Sequence, residues 1–131
     1  WLKVGALSSY LRDGIVNHVL RNTSLTSPAT VYLALYTSDP TPADTGTEVS
    51  GNGYARQAVT FTAPVGGATD NAAQVSFPEA TGNWGTVTHW GILDAATAGN
   101  LLLFGAFTTP KAYSAGDQAI IKANELDITF S

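Results

Sequence analysis

From Val31 onward the chain consists of short runs in which apolar residues recur at every second position. A cluster of Pro, Gly, Asn, Asp or Ser ends each run before a helix-length pattern develops. A period of two places alternate side chains on one face of a strand and does not match a helix face at about 3.6 residues per turn. In the first run Val31, Leu33 and Leu35 alternate with Tyr32, Ala34 and Tyr36, so both faces are apolar and the strand is expected to be covered on each side. Asp39-Pro40-Thr41-Pro42 stops it. Further strands are expected at 54–62, 73–77, 86–93, 101–108, 118–122 and 126–130, the last with Leu126, Ile128 and Phe130 on one face. The runs at 86–93 and 101–108 read as a pair joined through Asp94 to Asn100. Short strands at turn-punctuated intervals predict an antiparallel β-sandwich or flattened barrel of about seven to eight strands.

A single N-terminal α-helix is expected before these strands. Leu7, Leu11, Ile15 and Val19 recur at helical spacing, and Val16 and Leu20 widen the stripe. Ser8 or Ser9 suits the N-cap, Arg21 suits the last turn, and Asn22 suits a left-handed stop. Gly14 costs up to about 1 kcal/mol relative to Ala, so a helix over about residues 8–21 should be held by packing rather than by propensity. With 131 residues and no internal repeat or linker, the chain reads as one domain over 1–131, long enough to bury roughly two-thirds of its unfolded surface.

Charge excludes several functions. The net charge is −4, and the basic residues Lys3, Arg12, Arg21, Arg56, Lys111 and Lys122 are scattered. No basic stripe is present to displace counterions, so no nucleic acid is expected as a partner. No run of about 20 apolar residues is present, so no membrane span is expected. Only 12% of residues are charged, which leaves little repulsion between closely packed copies. Without cysteine there is neither a disulfide nor a thiolate metal site. The chain begins at Trp1 and contains no Met, so an initiator or leader is expected to have been removed or left out of the numbering; no signal peptide is visible.

The search for chemistry gives binding candidates rather than catalytic ones. His18 falls on the polar side of the helix and reads as a surface or interface residue. His89, in Thr88-His89-Trp90, has no second His or Cys nearby and reads as a packing or hydrogen-bonding residue. Asp39, Asp44, Glu48, Asp70, Asp94 and Asp117 fall in predicted turns, where a carboxylate caps local N–H groups. The 39–48 segment lacks the Asp-x-Asp-x-Asp spacing of a calcium loop, and no Lys-Ser or Lys-Thr follows Gly66-Gly67 as a phosphate loop requires. No catalytic, cofactor or metal site is therefore expected.

The loop over residues 38–53 is long, polar and the first candidate for a contact surface. Its apolar content looks too low for a second core, so stability alone does not account for its length. The candidate interface residues are Asp39, Pro40, Pro42, Asp44, Glu48, Tyr54, Arg56 and Trp84. Arg56 is expected to pair with Glu48 or Asp44 and pin the loop. Trp84, in a Gly-Asn-Trp-Gly turn, and Tyr54, at a strand entry, suit a protein anchor or a sugar-stacking platform, whereas Trp90 reads as core.

Four segments together resemble a family of small structural proteins of tailed bacteriophages, labelled as tail-fibre or minor virion proteins. They are Ser9-Tyr10-Leu11 leading to Leu20-Arg21-Asn22-Thr23; Val31 to Thr37 with Asp39-Pro40; Glu48-Val49 with Gly53-Tyr54-Ala55-Arg56-Gln57; and Trp84 to Ile92 with Asp94-Ala95. The resemblance implies a non-enzymatic virion protein, made in the cytoplasm of a host bacterium. It implies either a head decoration (cement) subunit or a tail- or fibre-associated one. The partners implied are other virion proteins of capsid or tail and copies of the chain itself. The family carries no recognised catalytic residues to transfer. The alternative is a carbohydrate-binding module that reads host surface glycans through Trp84 and Tyr54.

Overall fold

The computed structural model describes Leu2, Lys3 and residues 6–130. Trp1, which prompted the expectation about a missing leader, lies outside the described residues. Two short strands, β1 (Leu2–Lys3) and β2 (Ala6–Leu7), precede the helix α1 (Ser9–Leu20). The strands β3 (Val31–Tyr36), β4 (Gln57–Val59), β5 (Ala68–Thr69), β6 (Val75–Ser76), β7 (Gly85–Leu93), β8 (Leu101–Tyr113), β9 (Ile120–Ile121) and β10 (Leu126–Thr129) follow. A five-stranded sheet runs β2-β8-β7-β3-β4, and two smaller sheets run β1-β10-β5 and β6-β9. Among the described residues all strand pairings are antiparallel except that of β1 with β10.

The main core lies between the large sheet and the two small ones. Leu33, Leu35, Trp90 and Ile92 from the large sheet meet Val75, Phe77, Leu126 and Ile128 from the opposite layer. The other face of the large sheet carries a second cluster of Ala34, Tyr36, Leu93, Leu101 and Phe104. The doubly apolar run at β3 therefore has the physical basis expected of it: each face serves a different core. Because the edges β2 and β4 do not pair with each other, the large sheet stays open, and the fold is a mainly β sandwich rather than a barrel.

The expected strands are present but redistributed. β8 runs to Tyr113, past the expected stop at 108, because β7 continues to pair with it through Gly85↔Tyr113 across a bulge between Val87 and His89. The 54–62 run narrows to β4. Phe130 is exposed rather than sharing the buried face of Leu126 and Ile128. β1, β2 and β5 carry no period-two run of their own; a partner's ladder makes them strands, which raises the count above the expected seven to eight.

The helix starts as its sequence predicts. Ser8, in extended conformation, accepts a hydrogen bond at Oγ from the Leu11 N–H at 3.0 Å, and its own N–H donates to the Leu102 carbonyl of β8. At the far end Asn22 adopts φ 55°, and the Thr23 N–H returns to the Asn17 carbonyl. The buried stripe differs from the expected one. Leu7 belongs to β2, Leu11 packs against the core and Ile15 is half-buried, whereas Val16, Val19 and Leu20 are 45%, 68% and 75% exposed. Packing holds the N-terminal half of α1 and leaves one apolar side of its later turns uncovered.

Candidate interface site

The 38–53 loop is folded on itself and docked. Its returning limb pairs with the end of β3 beyond the Leu33↔Gln57 pairing with β4: Thr37 N–H donates to the Thr47 carbonyl at 2.8 Å, Val49 N–H donates to the Leu35 carbonyl at 2.9 Å, and Tyr36 bridges Glu48. Within the loop, Asp39 accepts from the Thr41 N–H, and the Thr45 and Gly46 N–H groups converge on the Pro40 carbonyl at 2.7 and 3.2 Å. Gly46 permits this closure, since a Cβ there would stand 2.6 Å from the Asp39 carbonyl oxygen. The loop forms no core of its own, as expected, but it adds to the existing one. Pro40 is fully buried, and Val49 belongs to the main core, so part of the loop's length serves stability.

Beneath the loop lies a polar hub. Arg56 grips Glu48 with two bonds of 2.8 Å, Nε to Oε2 and Nη2 to Oε1. Its Nη1 donates to the carbonyls of Ala95 and Ala98 at 2.8 and 2.7 Å, tying the β7–β8 connection to the loop. Side-chain exposure is only 9% for Arg56 and 23% for Glu48. The Tyr54 hydroxyl donates to Glu48 at 2.7 Å and accepts from the Leu35 N–H. The Tyr36 hydroxyl donates to Asp44 at 3.1 Å. Arg56 thus takes Glu48, one of its two expected partners, while Asp44 serves Tyr36.

Electrostatics follow from this packing. Burial, reinforced by neighbouring carboxylates, pushes the Tyr36 and Tyr54 hydroxyls well above their ordinary range. Hydrogen bonds to Glu48 hold Arg56 protonated against its own burial. Burial opposes ionisation of Asp94, yet the Asn100 N–H and side-chain amide at 2.7 and 3.0 Å outweigh it and lower the pKa.

The aromatic candidates lie under the loop rather than on its surface. Tyr54 stacks on Phe77 with centroids 6.1 Å apart and meets Trp84 edge-on at 5.5 Å; Trp84 in turn touches Tyr113. Trp84 is 5% exposed, and its Nε1 donates to the Asn52 carbonyl. The candidates therefore divide in two. Glu48, Tyr54, Arg56, Trp84 and Pro40 form the support, and Asp39, Pro42 and Asp44 are exposed at the tip.

That tip meets two other segments. The Ser9 N–H donates to the Pro42 carbonyl at 2.8 Å, and a depression of about 190 Å3 lies among Ser9, Tyr10, Pro42, Asp44, Asn100 and Leu101. The 94–100 connection and the start of α1 belong to this surface and were missed in the sequence. The signal available was weak: Asp94 and Asn100 bracket a short turn-rich segment, and Ser8-Ser9 read only as a cap. His18 accepts from the Leu25 N–H and His89 pairs with the Thr88 hydroxyl. Among the described residues, no three His, Asp or Glu side chains group as a metal site, and no helix is long and apolar enough to cross a membrane.

The family described as Podophage GP4 fiber I protein gp80 matches this chain over residues 6–129. No curated protein matches it.

Proposed function

The chain belongs to the podophage GP4 fiber I protein family, and on that premise we propose that it is a non-enzymatic fibre-associated subunit that docks onto another virion protein through the loop end of its sandwich. Membership of a phage fiber family makes it a virion-associated structural protein; the docking surface and the fibre rather than head position are our reading. One observation carries it: three segments distant in sequence, the loop tip, the start of α1 and the 94–100 connection, converge on one end around a shared depression; Arg56 ties the loop to the 94–100 connection from below, and the Ser9 N–H ties α1 to the loop tip. A rigid scaffold presenting exposed small polar residues loses little conformational entropy on binding. The carbohydrate reading draws no support from Trp84 or Tyr54, whose rings pack against each other under the loop.

The test is Ala43→Arg. Ala43 is exposed at the tip, so the variant should melt like the parent while its copy number in purified particles falls sharply. Incorporation at full occupancy would exclude the loop end as the docking surface.

A further inference from the structure

The outer side of α1 has no partner in the monomer. At about 100° per residue, Val16 lies at the centre of that side, with Val19 and Arg12 on one flank and Leu20 and Asp13 on the other. Val16, Val19 and Leu20 are 45%, 68% and 75% exposed. Opposite charges therefore border a single apolar stripe at the same height, one on each flank. Among the described residues the only ion pair is Arg56–Glu48; the Arg12 guanidinium donates to the Ser9 hydroxyl, at 3.3 Å.

We propose that this side is a homotypic interface in which α1 helices of copies of this chain pack in parallel about a rotation axis. The charge arrangement selects both occupant and direction. When helices run parallel around an axis, the left flank of each meets the right flank of the next at equal height. Arg12 then faces the neighbour's Asp13, and Val19 faces its Leu20, with Val16 nearest the axis. An antiparallel pair would set each flank against its own kind and bring Arg12 level with the apolar end, leaving charges unmatched. Only about two helical turns take part, so the contact is weak alone and gains strength where copies are already gathered. It is independent of the loop end proposed above, because it uses a different surface.

The parent chain, studied by sedimentation over a concentration series reaching about millimolar, should associate reversibly. Leu20→Glu and Val16→Glu should abolish association without lowering the melting temperature. Arg12→Asp alone and Asp13→Arg alone should each weaken it by about tenfold, and combining the two should restore it, since the seam is only reversed. Because the chain has no cysteine, Leu20→Cys gives a clean reading of direction. Parallel packing brings Leu20 near its own copy, so oxidation should yield a disulfide-linked dimer. A chain that stays monomeric throughout, association that survives Leu20→Glu, charge variants without mutual rescue, or no Leu20→Cys cross-link would each overturn the proposal.

Discussion

Arg56 does more than a surface cation. Its guanidinium satisfies both Glu48 oxygens and two carbonyls of a separate loop, in a geometry only a planar fork provides. Arg56→Ala leaves Glu48 without its counterion in a largely covered site, and we expect a loss of about 3 kcal/mol, read by urea unfolding. Arg56→Lys should recover little of it; a variant within error of the parent would show the hub to be dispensable. The tyrosines give a pH signature. Tyr36, Tyr54 and Tyr113 are raised above the ordinary 10.0, foremost by burial. The unfolded chain therefore releases these protons first, and stability present below about pH 10 is lost as pH rises toward the folded values. Tyr54→Phe should shallow that alkaline fall and also lower stability at neutral pH, by about 1–3 kcal/mol, because Leu35 N–H and Glu48 lose a partner. An unchanged alkaline profile would remove Tyr54 from the account. The Arg56–Glu48 pair was legible because a lone cation at a strand entry beside an acidic loop has few other choices. Burial of Trp84 was not legible, since a Gly-flanked Trp in a turn reads equally well as exposed until Asn52 and Tyr54 close over it.

Elements were read best where pattern and partner agree. β3, β7 and β10 have strong alternation and fell where expected, whereas β1, β2 and β5 exist only through the strand beside them, information a single run does not carry. In α1 the caps were legible from the Ser8-Ser9 pair, of which Ser8 is the N-cap, and from Asn22, but the buried side was not. Which side of a helix is covered depends on where the rest of the chain passes, and here Leu25 lies against Gly14, 2.9 Å from where a Cβ would be. The loop was found by its length, but its share in the core was not legible, because Pro40 and Val49 are only two apolar groups among many polar ones. Its closure yields a prediction at this scale. Gly46→Ala forces backbone apart at Asp39 and Pro40, so protease cleavage within 38–53 should accelerate while β7 and β8 amides keep their exchange protection. Equal cleavage rates in variant and parent would mean that the loop closes without that close approach.

At the scale of the whole molecule, the loop end and the outer side of α1 are two surfaces on one rigid body, and they should fail in different ways. Leu20 lies roughly 16 Å along the helix axis from Ser9, the residue that touches the loop tip. Substitutions at Ala43 and Leu20 share no partner and should affect stability independently, each within about 0.5 kcal/mol of the parent. Their consequences for assembly should not be alike. Under the two proposals, docking through the loop end would set the affinity of one copy for its site, whereas contact between copies would add avidity among neighbours already docked. Particles lacking the chain, titrated with purified protein, separate the two. The parent should bind over a steep, cooperative range. Leu20→Glu should fill the same sites at higher concentration with a shallower curve, because each copy binds alone. Ala43→Arg should fail to reach full occupancy where Leu20→Glu does, since mass action compensates for lost avidity more readily than for a clashing surface. Superimposable curves for the two variants would mean that the surfaces act as one, and the division between docking and self-association would then be wrong.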